Sequence, residues 1–240
     1  MNSVVIPKGN TQKGVNQEVY RLLAETFDLA KALKMIDVPC GDGTYAGFIK
    51  KNHPQVQMIG VDFFENVKNQ DFEFHAASAQ EYFKNEKPQQ VDAITCISGV
   101  MCFDGIVDLF QAFHQSLKAG GLLVVTNDNI MTVRDRLSFL FFGQFKRFKL
   151  CYEKNEGNWN LVLPQALRML FMRHEFKNIK VKYTSTYTED FLFLPLAILI
   201  YPFFFAYLMT RKSPISRSDR WQLFPFQALL ARHYVICAEK

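Results

Sequence analysis

The stretch "KMIDVPCGDGTYAGFIKK", residues 34–51, decides the fold of this chain. A short apolar run ends at Asp37, glycines stand at positions 41 and 43, and helix-forming residues follow. This pattern is typical of a strand, a tight turn and a helix. Glycines in such a turn let backbone N–H groups and the start of a helix approach a ligand closely. The stretch therefore predicts a ligand site at the end of a strand.

The rest of the chain alternates between short apolar runs and segments with helical periodicity. Further strands are predicted at "VQMIGVD" (56–62), "FEFHA" (72–76), "VDAITCIS" (91–98), "LLVVTND" (122–128), "NIKVKYTSTY" (178–187) and "HYVICAE" (233–239). Helices are predicted over residues 16–33, from the glycine turn to Asn52, over 105–120 with its end at Gly120 and Gly121, and over 163–176. Because strands alternate with helices, we expect an α/β fold with a doubly wound, parallel sheet covered on both faces.

Composition limits the class of protein. The chain has 240 residues, of which 49% are apolar, and this suits one α/β domain with an appended segment. A formal charge of +5 is compatible with an anionic membrane surface or acidic substrates and is too weak to indicate nucleic acid. The five cysteines are scattered and form no CxxC pair, which favours a reduced, intracellular protein. The N-terminus shows no secretory signal pattern.

Two cofactors compete for the glycine turn. Gly41, Gly43 and Ala46 fit the dinucleotide pattern G-x-G-x-x-A, with Asp62 near the expected distance downstream. Asp37, however, ends its strand directly before the turn, where a carboxylate would repel a pyrophosphate and would suit an ammonium group. Asp62 can accept hydrogen bonds from the hydroxyls of a ribose, and Phe63 can lie against a purine. An ammonium, a ribose and an adenine together describe S-adenosylmethionine (SAM).

Several motifs, in order along the chain, resemble those of the class I SAM-dependent methyltransferases. Residues 37–43, "DVPCGDG", resemble the family's first motif D-x-G-x-G-x-G, with proline in place of the first glycine. "FHAASAQEYF" (74–83), "VDAITCISGV" (91–100) and "LKAGGLLVVT" (117–126) are similar to the later motifs. The resemblance implies a Rossmann-like sheet of seven strands, with the last strand inserted antiparallel, and SAM as the cofactor.

The resemblance and the residues together predict a cofactor site. Asp37 would hold the methionine ammonium, Gly41 and Gly43 would allow close backbone approach, and Asp62 would bind the ribose. The complete predicted set is Asp37, Pro39, Cys40, Gly41, Gly43, Asp62, Phe63, Ser78, Ala79, Ile97 and Ser98. Of these, Phe63, Ser78 and Ala79 are expected beside the adenine, and Ile97 and Ser98 near the methionine end.

Candidates for a catalytic base are few. A base assists methyl transfer when the nucleophile is a hydroxyl. We expect the histidines at positions 75, 114, 174 and 233 to be packing residues, and we select Asp128, just after the fifth strand, over Asp104. No cluster of Cys and His has metal-ligand spacing, so no metal is expected. The chain lacks an N-P-P-Y type motif after the fourth strand, which argues against nucleic-acid methylation.

The apolar run "FLFLPLAILIYPFFFAYLM", residues 191–209, carries no charge and is nearly long enough to cross a bilayer. A spanning helix would separate "HYVICAEK" from its sheet, and Pro195 and Pro202 interrupt helices. Three alternatives stay open: a broken hairpin in one leaflet, a helix at the membrane interface, or a buried lid. The basic segments 146–149 and 211–220 beside the run favour contact with anionic lipid.

A narrower resemblance concerns the second half of the chain. "TNDNIMTVRDRLSFLFFGQFKRF" (126–148) and "LLARHYVICAEK" (229–240) resemble methyltransferases of bacterial surface-polysaccharide biosynthesis. This resemblance implies a glycan or lipid-linked acceptor with a hydroxyl nucleophile. In such relatives a G-H-I-N-like segment follows, where this chain has Gly157-Asn158-Trp159-Asn160, so a histidine-dependent role there is lost or moved.

We therefore predict a SAM-dependent methyltransferase acting on a small-molecule, glycan or lipid-linked acceptor. It is expected in the cytoplasm, with peripheral contact at the inner face of the membrane. Its predicted parts are a helical cap (1–33), a SAM-binding domain (34–186 and 231–240) and a hydrophobic, basic insertion (187–230). The alternatives are an NAD(P)-dependent oxidoreductase that uses the same glycine turn, and a SAM-binding scaffold without catalysis.

Overall fold

A computed structural model describes residues 5–68, 71–151, 160–212 and 215–240. Within these residues one mixed sheet forms the centre of the protein. Its strands are β1 (Lys34–Asp37), β2 (Gln57–Asp62), β3 (Glu73–Ala76), β4 (Val91–Ile97), β5 (Leu117–Asp128), β6 (Lys177–Thr184) and β7 (His233–Glu239). Their spatial order is β3-β2-β1-β4-β5-β7-β6. The predicted Gly157–Trp159 segment lies outside the described residues.

The pairing pattern confirms the predicted topology. Strands β1 to β5 pair in parallel, whereas β7 runs antiparallel to both β5 and β6. The order reverses between β1 and β4, so the carboxyl ends of these strands leave a crevice between the outgoing chains. This is the place at which the sequence predicts a ligand.

Helices cover both faces of the sheet, as a doubly wound fold requires. They are α1 (Val15–Thr26), α2 (Thr44–Asn52), α3 (Ala79–Asn85), α4 (Ile106–Ser116), α5 (Val133–Phe142), α6 (Pro164–Arg173), α7 (Leu194–Thr210) and α8 (Arg217–Leu223). One core lies under α1 and α2, and a larger one lies under α3, α4 and α6. The sheet is thus buried on both sides, and its functional surface is its edge of strand ends.

Three predicted helices end earlier than expected, and one of them, α6, stops at Arg173 rather than at residue 176. Helix α4 stops at Ser116 rather than at Gly120, because the buried Leu117 already pairs with Val91 of β4. The two glycines then form an irregularity within β5, where Gly120 has a φ of 76°. Helix α1 stops at Thr26 rather than at residue 33, because Asp28 accepts a hydrogen bond from the backbone N–H of Ala30 and starts a turn.

The apolar run forms a single helical segment rather than a broken hairpin. A 3-10 helix, Thr188–Phe193, leads directly into α7, and Pro195 stands in the first turn, where proline is tolerated. One side of α7 packs through Ala197 against Leu229 and Leu230. Most other side chains of the segment are exposed, so it is not a buried lid. By length and composition alone, residues Thr188–Thr210 could cross a membrane, with a mean hydropathy of 2.2.

Packing between two loops leaves no room for a side chain at Gly99. A Cβ atom at Gly99 would lie 2.0 Å from Cδ of Pro39, in the turn after β1. We predict that Gly99→Ala lowers the free energy of unfolding by about 1–3 kcal/mol, as overpacking does. It should also speed amide hydrogen exchange in residues 40–44, because the turn must move.

The matched control is Gly120→Ala, whose Cβ atom would meet nothing within 4 Å. This variant is destabilised for a different reason, because the φ of 76° at Gly120 is costly for alanine. Urea denaturation should show a loss for both variants. Faster exchange in residues 40–44 should appear for Gly99→Ala alone. Native exchange of that turn in Gly99→Ala would show that the contact with Pro39 does not hold it.

Candidate functional site

A cavity of about 150 Å³ lies at the carboxyl ends of β1 and β4, where the strand order reverses. We call it the cofactor cavity. Its lining combines the glycine turn, the end of β4 and the segment before α1: Gly9, Asn10, Thr11, Asn16, Asp37, Pro39, Cys40, Gly41, Asp42, Thr44, Tyr45, Ile97 and Ser98. The predicted site and the N-terminal segment therefore meet at one place.

The glycine turn is held by backbone geometry and by one carboxylate. Asp62 Oδ2 accepts a hydrogen bond from Gly41 N–H at 2.8 Å, and Asp62 Oδ1 accepts one from Phe64 N–H at 2.9 Å. Gly41 and Gly43 have φ values of 58° and 76°, in the left-handed region that glycine favours. Gly43 also caps α2, and a Cβ atom there would lie 2.8 Å from a methyl group of Val67. The turn thus needs glycine for its conformation and for its packing.

Asp37 is a buried carboxylic acid in the wall of the cofactor cavity. Only 1% of the residue is exposed, and its Oδ1 accepts a hydrogen bond from Thr95 Oγ1 at 2.7 Å. Burial raises the pKa of Asp37 to about 7, and the nearby charge of Asp62 adds to the rise, while the Thr95 hydrogen bond opposes it. A cation that entered the cavity would favour the ionised form. This is the behaviour expected of a group that binds an ammonium.

Two polar atoms in this wall have no hydrogen-bond partner in the described residues. They are Oδ1 of Asn16 and the hydroxyl of Tyr45, both buried. The amide nitrogen of Asn16 is used, because it donates to the carbonyls of Pro7 and Lys8. An unpaired buried polar atom is costly, so a polar ligand that reaches these atoms gains free energy. Together with Asp37 they offer two acceptors and a donor, which fit the charged groups of an amino acid.

The predicted cofactor residues divide into two groups. Asp37, Pro39, Cys40, Gly41, Ile97 and Ser98 line the cavity, and Gly43 and Asp62 shape it. The others lie outside its wall. Phe63 is 70% exposed beyond the end of β2, Ser78 caps helix α3 and bonds Glu81, and Ala79 is buried behind it. The roles predicted for these three residues beside an adenine remain predictions.

A second and larger cavity, of about 400 Å³, adjoins the first. We call it the acceptor cavity. Asn10, Thr11 and Ser98 line both cavities. The remaining wall is strongly polar and consists of Gln12, Met101, Asp128, Arg134, Asp135, Lys146, Arg147, Arg232 and His233. The predicted catalytic residue Asp128 therefore faces this second space and not the cofactor cavity.

A chain of polar groups, of which Thr11 and His233 are buried and Ser98 and Asp128 half-buried, joins the two cavities. Thr11 Oγ1 lies 2.6 Å from Ser98 Oγ, and Ser98 Oγ lies 3.1 Å from His233 Nε2. On the other side of the ring, His233 Nδ1 lies 3.3 Å from Asp128 Oδ1. With the ring proton on Nδ1, Nε2 is an acceptor that faces Ser98.

Asp128 also accepts a hydrogen bond from Arg147 at 3.1 Å. Burial opposes ionisation of Asp128, but the imidazole of His233, with Nδ1 at 3.3 Å, and the charge of Arg147 outweigh it and lower its pKa. Asp128 is therefore an ionised carboxylate that orients and supports the imidazole. His233 is buried, as expected of a packing residue, and it also lines the acceptor cavity.

Several of these residues escaped sequence analysis for a common reason. Thr11, Asn16 and His233 come from opposite ends of the chain and reach the site only through the fold. The one local signal was Tyr45, in the first turn after the glycine pair. No group of three or more His, Cys, Asp or Glu residues in the described ranges could hold a metal ion.

A protein-family model described as "Methyltransferase domain" matches residues 36–123. The match begins in β1 and ends within β5, so it contains the glycine turn, Asp62 and the end of β4. A search of curated proteins found no match.

Solved structures resemble the fold over almost the whole chain. A SAM-dependent methyltransferase from Archaeoglobus fulgidus is 17% identical, with a TM-score of 0.60, and the alignment covers 95% of this chain and 96% of that one. Phosphoethanolamine N-methyltransferase 2 of Haemonchus contortus, in complex with SAM, is 16% identical with a TM-score of 0.58, covering 97% and 55%. Geranyl diphosphate C-methyltransferase from Streptomyces coelicolor A3(2) is 12% identical with a TM-score of 0.56, covering 93% and 78%.

Residues 36–123 thus match a methyltransferase domain, and the strand order and the structural neighbours give the chain the fold of the class I SAM-dependent methyltransferases. S-adenosylmethionine, the cofactor that the sequence predicts, is bound in the solved structure of the Haemonchus contortus enzyme. The nicotinamide alternative finds no support in the family match.

The raised pKa of Asp37 predicts pH-dependent cofactor binding. Below about pH 7 the free protein carries a proton on Asp37, and this proton must leave before the carboxylate can bind an ammonium. The affinity for SAM should therefore rise with pH, by up to about tenfold per unit between pH 5.5 and 7. Calorimetry in buffers of different ionisation enthalpy should show proton release on binding.

Asp37→Asn should bind SAM weakly and without pH dependence in that range. Asp42→Asn is the matched control, because Asp42 lines the same cavity but has a lowered pKa and stays ionised. It should keep the pH dependence. An equal dependence in Asp37→Asn and the unaltered protein would contradict the assignment of the ammonium to Asp37.

Proposed function

We propose that the protein transfers a methyl group from SAM to a hydroxyl of an amphipathic, lipid-linked acceptor, such as a glycan carried on a lipid. The observation that carries this proposal is the chain of polar groups from the half-buried Asp128 through the buried His233 to the half-buried Ser98, at the boundary of the two cavities. A hydroxyl must lose its proton during methylation, and this chain offers a proton acceptor at that boundary.

The cofactor cavity suits the amino-acid end of SAM. Asp37 and Asn16 Oδ1 would accept hydrogen bonds from the ammonium, and the Tyr45 hydroxyl would donate one to the carboxylate. At about 150 Å³ the cavity is smaller than the roughly 300–1,000 Å³ usual for a whole ligand. The nucleoside would therefore extend beyond it, past Asp62 and Phe63, as the sequence predicted.

SAM supplies an electrophilic methyl group on a sulfonium. In the proposed reaction the acceptor oxygen forms a bond to the methyl carbon, and the carbon–sulfur bond breaks with its electron pair on sulfur. The hydroxyl proton passes through Ser98 Oγ to Nε2 of His233, and the ionised Asp128 stabilises the imidazolium that forms. The protein contributes orientation, exclusion of water and this proton path.

Contact with a membrane is the second part of the proposal. Helix α5 ends in four exposed apolar residues, Phe139–Phe142, and α7 exposes Ile198, Leu199 and Phe203. The two helices pack on each other, with Arg136 of α5 over the ring of Phe204. We call the exposed residues of α5 and α7 the apolar face. Such a face on a protein favours an interface with lipid or protein.

Charge complementarity favours lipid as the occupant of the apolar face. Arg211, Lys212 and Arg217 follow α7 and are exposed, and Lys146 follows α5. Cations beside an apolar anchor suit the anionic headgroups of a cytoplasmic leaflet. Because one side of α7 packs on the domain through Ala197, we propose that α7 lies in the plane of the membrane surface rather than across it. This position also keeps β7 in its sheet.

The polysaccharide part of the proposal is supported by the resemblance in residues 126–148 and 229–240. Two structural neighbours act on phosphorylated small molecules by their names, a phosphoethanolamine and a geranyl diphosphate. Incubation of the protein with methyl-labelled SAM and a total lipid extract tests the acceptor class. Label in a lipid or glycolipid fraction supports the proposal, and labelling of water-soluble compounds alone contradicts it. SAM binding without any transfer would favour the scaffold alternative.

The proton path predicts a defined loss on substitution of His233. His233→Gln keeps an amide near the position of Nε2 that can bond Ser98, but an amide cannot accept the proton. We expect kcat to fall by about 10²–10⁴-fold, the usual contribution of a general base. SAM affinity by calorimetry should change little.

The matched control is His75→Gln, at an exposed histidine that pairs with Glu73 on β3. Its kcat should equal that of the unaltered protein. A native kcat in His233→Gln would remove His233 from the proton path and with it the argument for a hydroxyl acceptor.

The apolar face predicts binding to anionic vesicles. The unaltered protein should co-float with vesicles of phosphatidylglycerol and phosphatidylcholine. Leu199→Ser with Phe203→Ser should lower the partition coefficient at least about tenfold, because both side chains would lose burial in lipid. Both are more than 60% exposed in the structure, so the fold should survive.

The control is Leu161→Ser with Met169→Ser, which removes two exposed apolar side chains elsewhere on the protein. It should float like the unaltered protein. Failure of the unaltered protein to float with anionic vesicles, or equal losses in both double variants, would contradict the membrane proposal.

A further inference from the structure

We infer that the acceptor cavity is a binding site for a phosphate group of the acceptor, so that the acceptor is a phosphate ester and not a neutral glycan or lipid. The inference deepens the proposed function and rests on it for the position of the methyl group. It begins from the charges in the wall of the cavity. Four cationic residues, Arg134, Lys146, Arg147 and Arg232, face two carboxylates, Asp128 and Asp135.

Both carboxylates in the wall of the acceptor cavity, Asp128 and Asp135, already accept hydrogen bonds from Arg147. Arg147 bonds both of them, with Asp135 through two nitrogens and Asp128 at 3.1 Å, and it also donates to the backbone carbonyl of Arg232. Its guanidinium is therefore held rigidly in place. No anion of the wall is left to neutralise the other cations.

Arg232 is fixed from behind the cavity. It forms ion pairs with Asp190 at 2.7 Å and Glu189 at 2.8 Å, and it stacks over the ring of Tyr187 at 4.4 Å. These partners come from the 3-10 helix that leads into α7. The arrangement orients the guanidinium against the cavity wall before any ligand binds, which lowers the cost of binding.

Arg134 and Lys146 differ from these two arginines. Within the described ranges neither forms a salt bridge, although Glu189 lies near enough to Arg134 to interact electrostatically. Arg134 lies in the first turn of α5 and Lys146 lies four residues after its end, and both line the cavity. Arg134 and Lys146 are therefore the two cations of the wall that no salt bridge in the described residues engages, and they stand in a partly enclosed space where Coulomb interactions are strong.

The two cationic side chains, Arg134 and Lys146, favour a phosphate over a single carboxylate as the ligand of this cavity. Phosphate esters carry up to two charges and several acceptor oxygens, and arginine and lysine together satisfy them. At about 400 Å³ the cavity also has the volume of a small-ligand site. The shared residues Thr11 and Ser98 place such a group next to the cofactor cavity, within reach of the methyl group.

Helix α5 connects the cavity to the apolar face. It begins beside the cavity at Arg134 and ends with Phe139–Phe142, so about 9 Å of helix separates Arg134 from Leu140. A molecule with a phosphate in the cavity could thus lay an alkyl or prenyl chain along the apolar face. The same phosphate chemistry occurs in soluble sugar phosphates, and the experiment distinguishes the two sources.

The test is calorimetry on the full chain saturated with S-adenosylhomocysteine. The probes are decyl phosphate, decyl maltoside and inorganic phosphate, all below the micellar range. Decyl phosphate should bind, and Arg134→Gln with Lys146→Gln should weaken it at least tenfold. The control Lys51→Gln with Lys84→Gln removes the same charge from exposed positions away from the cavity and should bind as the unaltered protein does.

Each outcome decides between alternatives. Inorganic phosphate that binds as tightly as decyl phosphate, and is weakened by the same double variant, supports the phosphate site and assigns it to soluble esters. Equal binding of decyl maltoside and decyl phosphate, or equal affinity in the Arg134/Lys146 variant and the control, overturns the inference. Binding of S-adenosylhomocysteine in that case shows that the cofactor function stands and that only the phosphate site has failed. If S-adenosylhomocysteine does not bind, the proposed function itself fails.

Discussion

The hydrogen bond from Gly41 N–H to the carboxylate of Asp62 joins the turn after β1 to the end of β2. It is made possible by the positive φ angles of Gly41 and Gly43, and the close contact of Pro39 with Gly99 closes the turn on its other side. Three strand ends, those of β1, β2 and β4, are thereby tied to one short loop. The cofactor cavity exists because this loop cannot relax into the space that it borders.

The electrostatic design of the site has two halves. Buried acids dominate the cofactor side. Burial raises the pKa of Asp37 to about 7, and a bound cation would favour its ionised form. Arginine and lysine dominate the acceptor side, where Arg147 donates hydrogen bonds to the carboxylates of Asp128 and Asp135. A cationic methyl donor and an anionic acceptor would thus be drawn to opposite sides of one boundary, and Ser98 and His233 stand at that boundary. Opposite charges on the two sides also disfavour entry of either molecule into the wrong cavity.

The insertion between β6 and β7 solves a geometric problem. Helix α7 exposes apolar side chains, and the chain then returns to the sheet as β7. It does so by packing Ala197 and its neighbours on Leu229 and Leu230, directly before β7. The ion pairs of Arg232 with Glu189 and Asp190 then link the start of this segment to the first residues of the last strand. This connection thus supplies Arg232 to the acceptor cavity and α7 to the apolar face.

Much of the fold was predictable from residue patterns. The glycine turn and the alternation of strands and helices indicated the parallel sheet and a ligand site at its strand ends, whereas the antiparallel last strand was implied by the resemblance to the class I methyltransferases. These features depend on local periodicity and on backbone conformations that only certain residues adopt, and both can be read over a few neighbouring positions. The helix ends at Thr26 and Ser116 were less accessible, because strand pairing and a side-chain turn overrode helical periodicity there.

The acceptor side depended on contacts between distant parts of the chain. Thr11 and Ser98 are 87 residues apart and Ser98 and His233 are 135 residues apart, so no spacing in the sequence could join them. An isolated histidine in an apolar strand looks the same whether it is packed or hydrogen-bonded. Its environment is set by which strands become neighbours, and only the folded sheet brings β5 and β7 together around it.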